Sequence, residues 1–397
     1  MGNKSRSTRG FTFVELMVSL GLGMLVVGAA VKLFSQGVDA TWVTTERAEM
    51  QQDLRASENL LLKDISLAGA GLTGIPGESV TLPNTTSTPI YGCDQSGLAS
   101  GCPPNGGVKY PCVPTGSCSP TLYPLMPGFA LGIAPLGASV SSDLITTTYS
   151  DPNLALNCYA IGFNSTGNVL TFTAPTNPPP SSCILPPGLT YPQAVNDPVV
   201  GLTAGDIILF TQGSTTAIGE VTGTVSGPSG TPAPGNVYTV NFANSDPLGL
   251  NQSGATNDLT QLKSGTGTIG NRIYVITYYI KVNTDVAGNT TPVLMRQVSG
   301  HTAVPVAENI VNLQFTYDTY DTSGDLLNQT GDGGESIGIS PNLIRKINLA
   351  HLTIRSQMDG VRTTLMATKG YQGYDVQTSI SARNLSYNNR YTFTTGP

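Results

Sequence analysis

The chain has 397 residues and a formal net charge of -6 at pH 7, and only 11% of its residues are charged. Charged residues make up about 25% of an average soluble domain, so this composition favours an exported, β-rich protein over a cytosolic enzyme. The net negative charge repels phosphate backbones, which argues against general nucleic-acid binding. A hydrophobic content of 39% is enough for a core and excludes global disorder.

The N-terminus is basic for ten residues and then becomes apolar. Positive charges at Lys4, Arg6 and Arg9 precede the segment from Leu16 to Val31, which contains no charged residue. With residues 11–14 added, the stretch reaches the roughly 20 residues that a helix needs to cross a bilayer. Basic residues on one side of a span hold that side in the cytoplasm. We therefore predict a single membrane span followed by an exported domain.

Glu15 places a carboxylate inside this apolar run. A charge there costs about 3 kcal/mol at the bilayer centre and less near the interface. An ordinary secretory signal would be removed at a small-residue site beyond the apolar segment, whereas here the helical pattern continues. The acid therefore predicts a functional site that needs a cationic partner.

The string GFTFVELMVS, which begins at Gly10, resembles the type IV prepilin signature. In that signature a short basic leader ends in Gly, an aromatic residue follows, and Glu stands at the fifth mature position. Those residues are Gly10, Phe11 and Glu15 here, and Phe13 stands where Leu is usual. The resemblance implies that prepilin peptidase cleaves after Gly10 and that the new amine of Phe11 is methylated. A plain signal anchor with a chance Glu is the alternative.

Cleavage would create a positive amine on Phe11, four residues from Glu15. The same helix or a neighbouring subunit could supply this amine. Such a pair offsets much of the cost of burying either charge in a helix bundle. It would also set the axial stagger of subunits, because a slipped subunit leaves a buried carboxylate unpaired.

An amphipathic helix is predicted beyond the apolar segment. The apolar positions follow helical spacing along one face; they are Met50, Leu54, Leu61, Ile65 and Ala68. Glycines and a proline end the pattern; they are Gly69, Gly71, Gly74 and Pro76. We expect one helix from Phe11 to about Ala68, with residues 11–34 as the transmembrane and assembly segment.

Six cysteines lie beyond this helix, at Cys93, Cys102, Cys112, Cys118, Cys158 and Cys183. An even number in an exported region indicates disulfides. Zinc is the alternative, but C-x2-C pairs and nearby histidines are lacking. Fifteen pairings are possible, and we favour pairing of sequence neighbours, Cys93–Cys102, Cys112–Cys118 and Cys158–Cys183.

The remaining chain alternates as β-strands do. The expected strands cover residues 143–149, 168–173, 206–212, 217–225, 237–242, 272–282, 293–298, 310–320 and 344–357. The domain organisation predicted is a leader (1–10), an N-terminal helix (11–70), a Cys-, Pro- and Gly-rich insertion with short strands (71–202) and a β-rich pilin-like domain (203–397). The fold class is α+β: a long helix packed on a large antiparallel β-rich domain with a disulfide-stapled loop insertion.

A second resemblance covers the C-terminal part. The chain is similar to PilW-type minor pilins, which are related to J-type pseudopilins of type II secretion, in the stretches ITYYIKVN, TPVLMRQVSGHTAVPVAENIVNLQFTYDTYDTSGD, RKINLAHLTIRSQ and TSISARNLSY. This resemblance implies other major and minor pilins and an inner-membrane assembly platform as partners. It also implies an inner-membrane protein with a periplasmic C-terminal domain that later reaches the pilus at the cell surface.

Motifs for catalysis are not found in the sequence. His301 and His351 lie fifty residues apart, and no metalloprotease, serine-hydrolase or nucleotide-binding motif occurs. We expect no enzymatic activity and no cofactor. Asp318, Asp321 and Asp325, with Asp332 and Glu335, are weak calcium candidates, since their spacing does not fit the EF-hand pattern and a solvated acidic loop is the favoured interpretation.

Three functions fit the sequence. The first is a minor pilin that takes part in assembly or tip formation of a type IV pilus. The second is a pseudopilin of a type II secretion system. The third is a pilus-tip adhesin or DNA-capture module, for which the Cys-rich insertion is the natural binding region.

Overall fold

The computed structural model describes residues 10–72, 80–81, 121–128, 130, 132–135, 141–213, 215–244, 246, 250–251, 258–262, 267–284, 286–320, 326–329, 344–356, 373–381 and 384–385. Within these residues the chain forms one long α-helix and sixteen strands, arranged in antiparallel sheets. The predicted α+β class, with a long N-terminal helix and a large antiparallel β region, is confirmed.

The chain divides into two compact units, each of which has its own internal contacts. The first unit comprises residues 1–52 and 356–372, and the second comprises residues 53–355 and 373–397. The long helix contributes its first part to one unit and its last turns to the other.

Helix α1 spans Phe13–Ser66, so the sequence pattern placed both ends within two residues. Gly69 and Gly71 follow with φ angles of +80° and +70°, which side chains with a Cβ rarely adopt. A Cβ on Gly71 would also come within 2.8 Å of the Cβ of Ser150. These glycines therefore end the helix and let the chain pass close to a strand.

The first part of α1 is apolar and exposed. Large hydrophobic side chains from Phe11 to Phe34 are each more than half exposed. By length and composition α1 is able to cross a membrane, and it is the one such helix among the described residues. An apolar surface of this size, open on all sides, is unusual for a soluble protein and normal for a membrane segment.

The last turns of α1 are buried in the second unit. Leu54, Leu61, Ile65 and Ala68, four of the five residues predicted to form the apolar face, are each at most 3% exposed. The fifth, Met50, is also buried. The helical spacing of apolar residues thus identified the buried face.

The largest sheet has seven strands. They are β3 (Leu125–Gly128), β4 (Leu144–Ser150), β7 (Ile207–Gln212), β8 (Thr215–Glu220), β10 (Ile269–Thr284), β11 (Thr290–Val298) and β12 (Val304–Glu308). Strand β10 is central because β4 pairs with one edge while β7 and β11 pair in succession with the other. Pro305 lies in β12, an edge strand, where its missing N–H is tolerated.

Three smaller sheets complete the β region. A four-stranded sheet has the order β14 (Leu326–Gln329), β13 (Ile310–Tyr320), β15 (Ile344–Arg355) and β16 (Gly373–Ser381). A three-stranded sheet has the order β5 (Ala160–Phe163), β6 (Val169–Thr173) and β9 (Val237–Asn241). The pair β1 (Val80–Thr81) and β2 (Thr121–Leu122) forms the last, and short 3-10 helices occupy Leu156–Cys158 and Asp258–Gln261.

Strands from both sides of residue 202 share sheets. Strand β4 pairs with β10, and β6 pairs with β9, so residues 144–173 are built into the same compact unit as residues 203–355. Strand β8 is much shorter than the strand predicted over residues 217–225, since it stops at Glu220. The next amides, of Val221 and Thr222, donate to Asp206 and Asn241 instead of continuing the pairing with β7.

A large hydrophobic cluster of described residues lies around the three-stranded sheet. Its fully buried aromatic rings include Phe172, Phe210, Tyr238 and Phe242. Phe210 and Phe242 meet edge to face with ring centroids 5.9 Å apart, a favoured aromatic geometry. Cys183 packs against this cluster and forms a disulfide with Cys158, one of the three predicted pairs.

Asp64 anchors the end of α1 to the seven-stranded sheet. Its side chain is almost fully buried, and its Oδ2 accepts hydrogen bonds from the Tyr278 hydroxyl (2.6 Å) and from Arg296 Nε (2.7 Å). Tyr278 lies on β10 and Arg296 lies opposite it on β11. Burial, together with the adjacent charge of Asp64, raises the pKa of Tyr278, so this hydroxyl remains a donor.

Asp143 links the seven-stranded sheet to the four-stranded sheet. Its carboxylate accepts from the amides of Ala130 and Phe315, each at 2.8 Å, and its own amide donates to the Leu313 carbonyl. Burial raises the pKa of Asp143 from 3.8 to about 6, although these two amides act in the opposite direction. The ionised carboxylate is therefore held in place at a cost in desolvation.

Replacing Asp64 with Ala is expected to destabilise the second unit by about 3 kcal/mol, because the buried Tyr278 hydroxyl and the Arg296 guanidinium lose their acceptor. Urea unfolding of the full-length protein in detergent micelles measures this loss. Asp53→Ala, which removes an exposed acid from the same helix, should change stability by less than about 0.5 kcal/mol. Equal effects of the two substitutions would contradict the anchor.

The stability that Asp143 contributes should fall as pH rises. Because its folded pKa lies above the unfolded value of 3.8, its contribution is complete below that pH and is lost as pH approaches about 6. The difference in unfolding free energy between the wild type and Asp143→Asn should therefore shrink by about 2.5 kcal/mol from pH 4 to pH 7. Urea unfolding of both proteins across this range measures it, and a constant difference would contradict the pKa assignment.

Candidate processing and assembly site

The candidate site is the N-terminal end of α1 together with the residues just before it. Gly10 and Phe11 precede the helix and are exposed; the Phe11 side chain is 77% exposed. A backbone that is accessible and outside the helix is what a peptidase needs to reach the bond after Gly10. Of the predicted leader (residues 1–10), residues 1–9 lie outside the described residues.

Thr12 and Glu15 form a capping box at the start of the helix. Glu15 Oε2 accepts hydrogen bonds from the Thr12 amide (3.1 Å) and from Thr12 Oγ1 (2.9 Å). The Glu15 amide in turn donates to Thr12 Oγ1 at 3.3 Å. Reciprocal bonds of this kind satisfy amides that would otherwise lack an acceptor at a helix N-terminus.

The capping box gives Glu15 local partners while the leader is still attached. In the uncut chain the nitrogen of Phe11 is part of a peptide bond and carries no charge, so no amine is available at that position. Two donors from Thr12 then take the place of a cation, and the positive end of the helix dipole adds to the stabilisation. Cleavage after Gly10 would add a charged amine one residue before Thr12.

Sequence reasoning identified Glu15 but missed Thr12. The spacing Thr-x-x-Glu directly before an apolar helix is the sequence signature of a capping box, so the signal was present. Further along the span, Ser19 Oγ donates to the Leu16 carbonyl at 3.0 Å. This bond satisfies the Ser19 hydroxyl within the helix, in an otherwise apolar stretch.

A second cluster of charged side chains lies far from this site along the chain, and its charges are paired with one another. Arg272 is buried and is paired with Asp151, which follows β4, and with Asp206, which precedes β7. Asp206 is also hydrogen-bonded to His301 Nε2 at 2.9 Å. Burial raises the pKa of Asp206, but hydrogen bonds from His301 and Thr203 and the charge of Arg272 outweigh it, so the pKa lies below its usual value.

The other histidine pairs with an acid on the four-stranded sheet. His351 Nδ1 lies 2.9 Å from Asp375 Oδ2, and Thr353 Oγ1 donates to Asp375 Oδ1. The threonine hydroxyl contacts the carboxylate and not the imidazole, which is not the geometry of a base-activated nucleophile. Burial raises the pKa of Asp375, but hydrogen bonds from Thr353 and His351 bring it below its usual value.

The remaining predicted site residues are only partly described. Asp318 is buried, 3.5 Å from Lys346 Nζ, and accepts a hydrogen bond from Asn348. Asp321 and Asp325 lie outside the described residues, as do Cys93, Cys102, Cys112 and Cys118. Within the described ranges, no three His, Cys, Asp or Glu side chains converge as metal ligands do.

Comparison with known proteins places the site in context. A model of the prokaryotic N-terminal methylation motif matches residues 5–31. No curated protein and no solved structure matches the chain significantly. The matched residues include Gly10, Phe11, Thr12 and Glu15, so the motif covers the whole candidate site. It supports a protein like the type IV pilins and pseudopilins, processed by prepilin peptidase and associated with other pilins.

Replacing Thr12 with Val should make the first turn of α1 open more often, because Val keeps the shape of Thr but removes the capping hydroxyl. A lost N-cap costs about 1 kcal/mol, which corresponds to roughly fivefold faster exchange of the first helical amides. Hydrogen exchange of the uncut protein in detergent micelles measures this change. Thr12→Ser keeps the hydroxyl and should exchange like the wild type; identical exchange in the Val and Ser variants would contradict the capping role.

Proposed function

We propose that this chain is a minor, pilin-like structural subunit of a bacterial type IV pilus, of the PilW type. In this proposal it takes part in assembly or tip formation, and it is not an enzyme. The observation that carries the proposal is the methylation motif at residues 5–31, which runs directly into a helix of 54 residues whose first part is apolar and exposed. An ordinary secreted protein has no use for such a helix after export.

The proposed processing begins with cleavage by prepilin peptidase after Gly10 and methylation of the Phe11 amine. The exposed backbone before the helix supports access by these enzymes. The mature chain would remain in the inner membrane with its N-terminus cytoplasmic and its β-rich unit periplasmic, until the assembly platform moves it into the filament. The filament would then carry it to the cell surface.

Glu15 is the proposed assembly residue. Among the described residues, the hydrogen-bond donors to its carboxylate are the amide and hydroxyl of Thr12, both of which are neutral. A charged amine at Phe11, from the same chain or from a neighbouring subunit, would form a stronger bond in an environment without water. A subunit entering the filament at the wrong height would lose this bond, so the pair would select the correct axial position.

The PilW type rests on the C-terminal sequence resemblance. The strands concerned include β10, β13, β15 and β16, which belong to two different sheets. The N-terminal motif also fits a pseudopilin of type II secretion. Deleting the gene distinguishes the two: loss of surface pili with normal protein secretion supports the pilus, and the reverse outcome supports the secretion system.

Replacing Glu15 with Ala should leave membrane insertion intact and reduce the filament-associated protein about tenfold or more. The physical reason is the loss of a charge-assisted bond that contributes about 1.5–3 kcal/mol. Immunoblots of membrane and sheared-filament fractions measure both quantities.

Glu49→Ala, which removes an exposed acid from the same helix beyond the apolar segment, is the matched control and should assemble normally. N-terminal sequencing of the mature protein should find a methylated Phe11. Normal assembly of the Glu15→Ala variant, or a mature protein that still carries residues 1–10, would refute the proposed role.

A further inference from the structure

A stripe of apolar side chains starts at the end of the membrane segment of α1 and continues beyond it. Phe34, Val38 and Trp42 follow at intervals of four residues and therefore lie on one face. They are 75%, 39% and 57% exposed. These three residues, named here the interfacial stripe, belong to the unit formed by residues 1–52 and 356–372.

The helix around the stripe is neither apolar nor strongly charged. Between Leu33 and Thr45 the single charged residue is Asp39, and it lies about 100° around the helix from the middle of the stripe. Charges become frequent only from Glu46 onward. The segment thus has the intermediate polarity of the layer between hydrocarbon and water.

Two threonines in this segment turn their hydroxyls toward the helix backbone. Thr41 Oγ1 donates to the Gly37 carbonyl at 2.9 Å. Thr44 Oγ1 lies within bonding distance of the carbonyls of Ala40 (3.0 Å) and Thr41 (2.8 Å). Because these groups are already satisfied, placing them away from bulk water costs little.

The position along the helix matches the headgroup layer of a bilayer. A hydrocarbon core that begins after Glu15 and takes about 20 residues ends near Ser35. The Cα atom of Trp42 then lies roughly 10 Å further along the axis. Helical side chains lean toward the N-terminus by about one turn, so the indole ring reaches back to the lipid headgroups. Trp is the residue type that favours this layer.

We propose that the interfacial stripe, with Trp42 at its end, anchors the membrane-resident subunit in the lipid headgroup layer and sets how deeply α1 sits in the bilayer. The inference rests on the membrane residence that the proposed function requires. The occupant of the stripe is the lipid surface because the stripe is continuous with the apolar span and no charged side chain interrupts it. Lys32, just before the stripe, extends its flexible side chain toward the same layer.

Trp42 is the sole tryptophan of the chain, so the intrinsic fluorescence of the wild-type protein reports this position alone. The test uses full-length protein in vesicles of phosphatidylethanolamine and phosphatidylglycerol that contain brominated phosphatidylcholine. We expect blue-shifted emission and a greater loss of emission with bromines near the headgroup than with bromines near the acyl-chain methyl. Both results should be independent of the protein-to-lipid ratio.

A matched variant reports the membrane span itself. Val26→Trp combined with Trp42→Phe places the indole near the middle of the apolar segment, and its emission should be lost mainly with bromines near the acyl-chain methyl. If this variant is not quenched by either lipid, the membrane residence in the proposed function fails.

If the Val26→Trp variant is quenched and the wild type is not, the interfacial anchor fails while the membrane span stands. Water-like emission of Trp42 that acrylamide quenches would overturn the anchor in favour of a solvated stripe. Blue-shifted emission that brominated lipid does not quench, or that changes with the protein-to-lipid ratio, would overturn it in favour of a protein partner.

Discussion

The contact of Asp64 with Tyr278 and Arg296 determines how the last turns of α1 join the β region. A carboxylate buried among apolar side chains requires donors, and here one hydroxyl and one guanidinium from neighbouring strands supply them. Sliding the helix by one turn would separate the carboxylate from both donors. Apolar packing by Leu61 and Ile65 supplies the area of contact, and the polar contact disfavours every other register.

Helix α1 carries another acid, Glu15, within its apolar segment, and the partners of Glu15 differ from those of Asp64. Asp64 has its cation within the folded unit, whereas the donors to Glu15 among the described residues are the neutral groups of Thr12. In the proposed function, cleavage of the leader would create a charged amine as a stronger partner for Glu15, and this would couple processing to assembly.

Few residues of this chain are charged, and several of these are used inside the β unit. Arg272 joins Asp151 and Asp206, which flank different strands, and Lys346 pairs with Asp318 across neighbouring strands of one sheet. Each of these charges has a partner at the place where it is buried, as a low-dielectric interior requires.

The sequence by itself determined the long helix, its apolar and amphipathic parts, the Glu15 site and most strand positions, because these depend on local periodicity and on a short motif. Strands such as β3 and β12 were missed since Pro127, Gly128 and Pro305 interrupt the β pattern. Only the tertiary structure decided that β10 pairs with both β4 and β7 and that Asp64 meets Arg296, and it confirmed the Cys158–Cys183 pair among the fifteen possible pairings. These contacts join residues far apart in the chain, and their energies depend on packing and burial that no local pattern records.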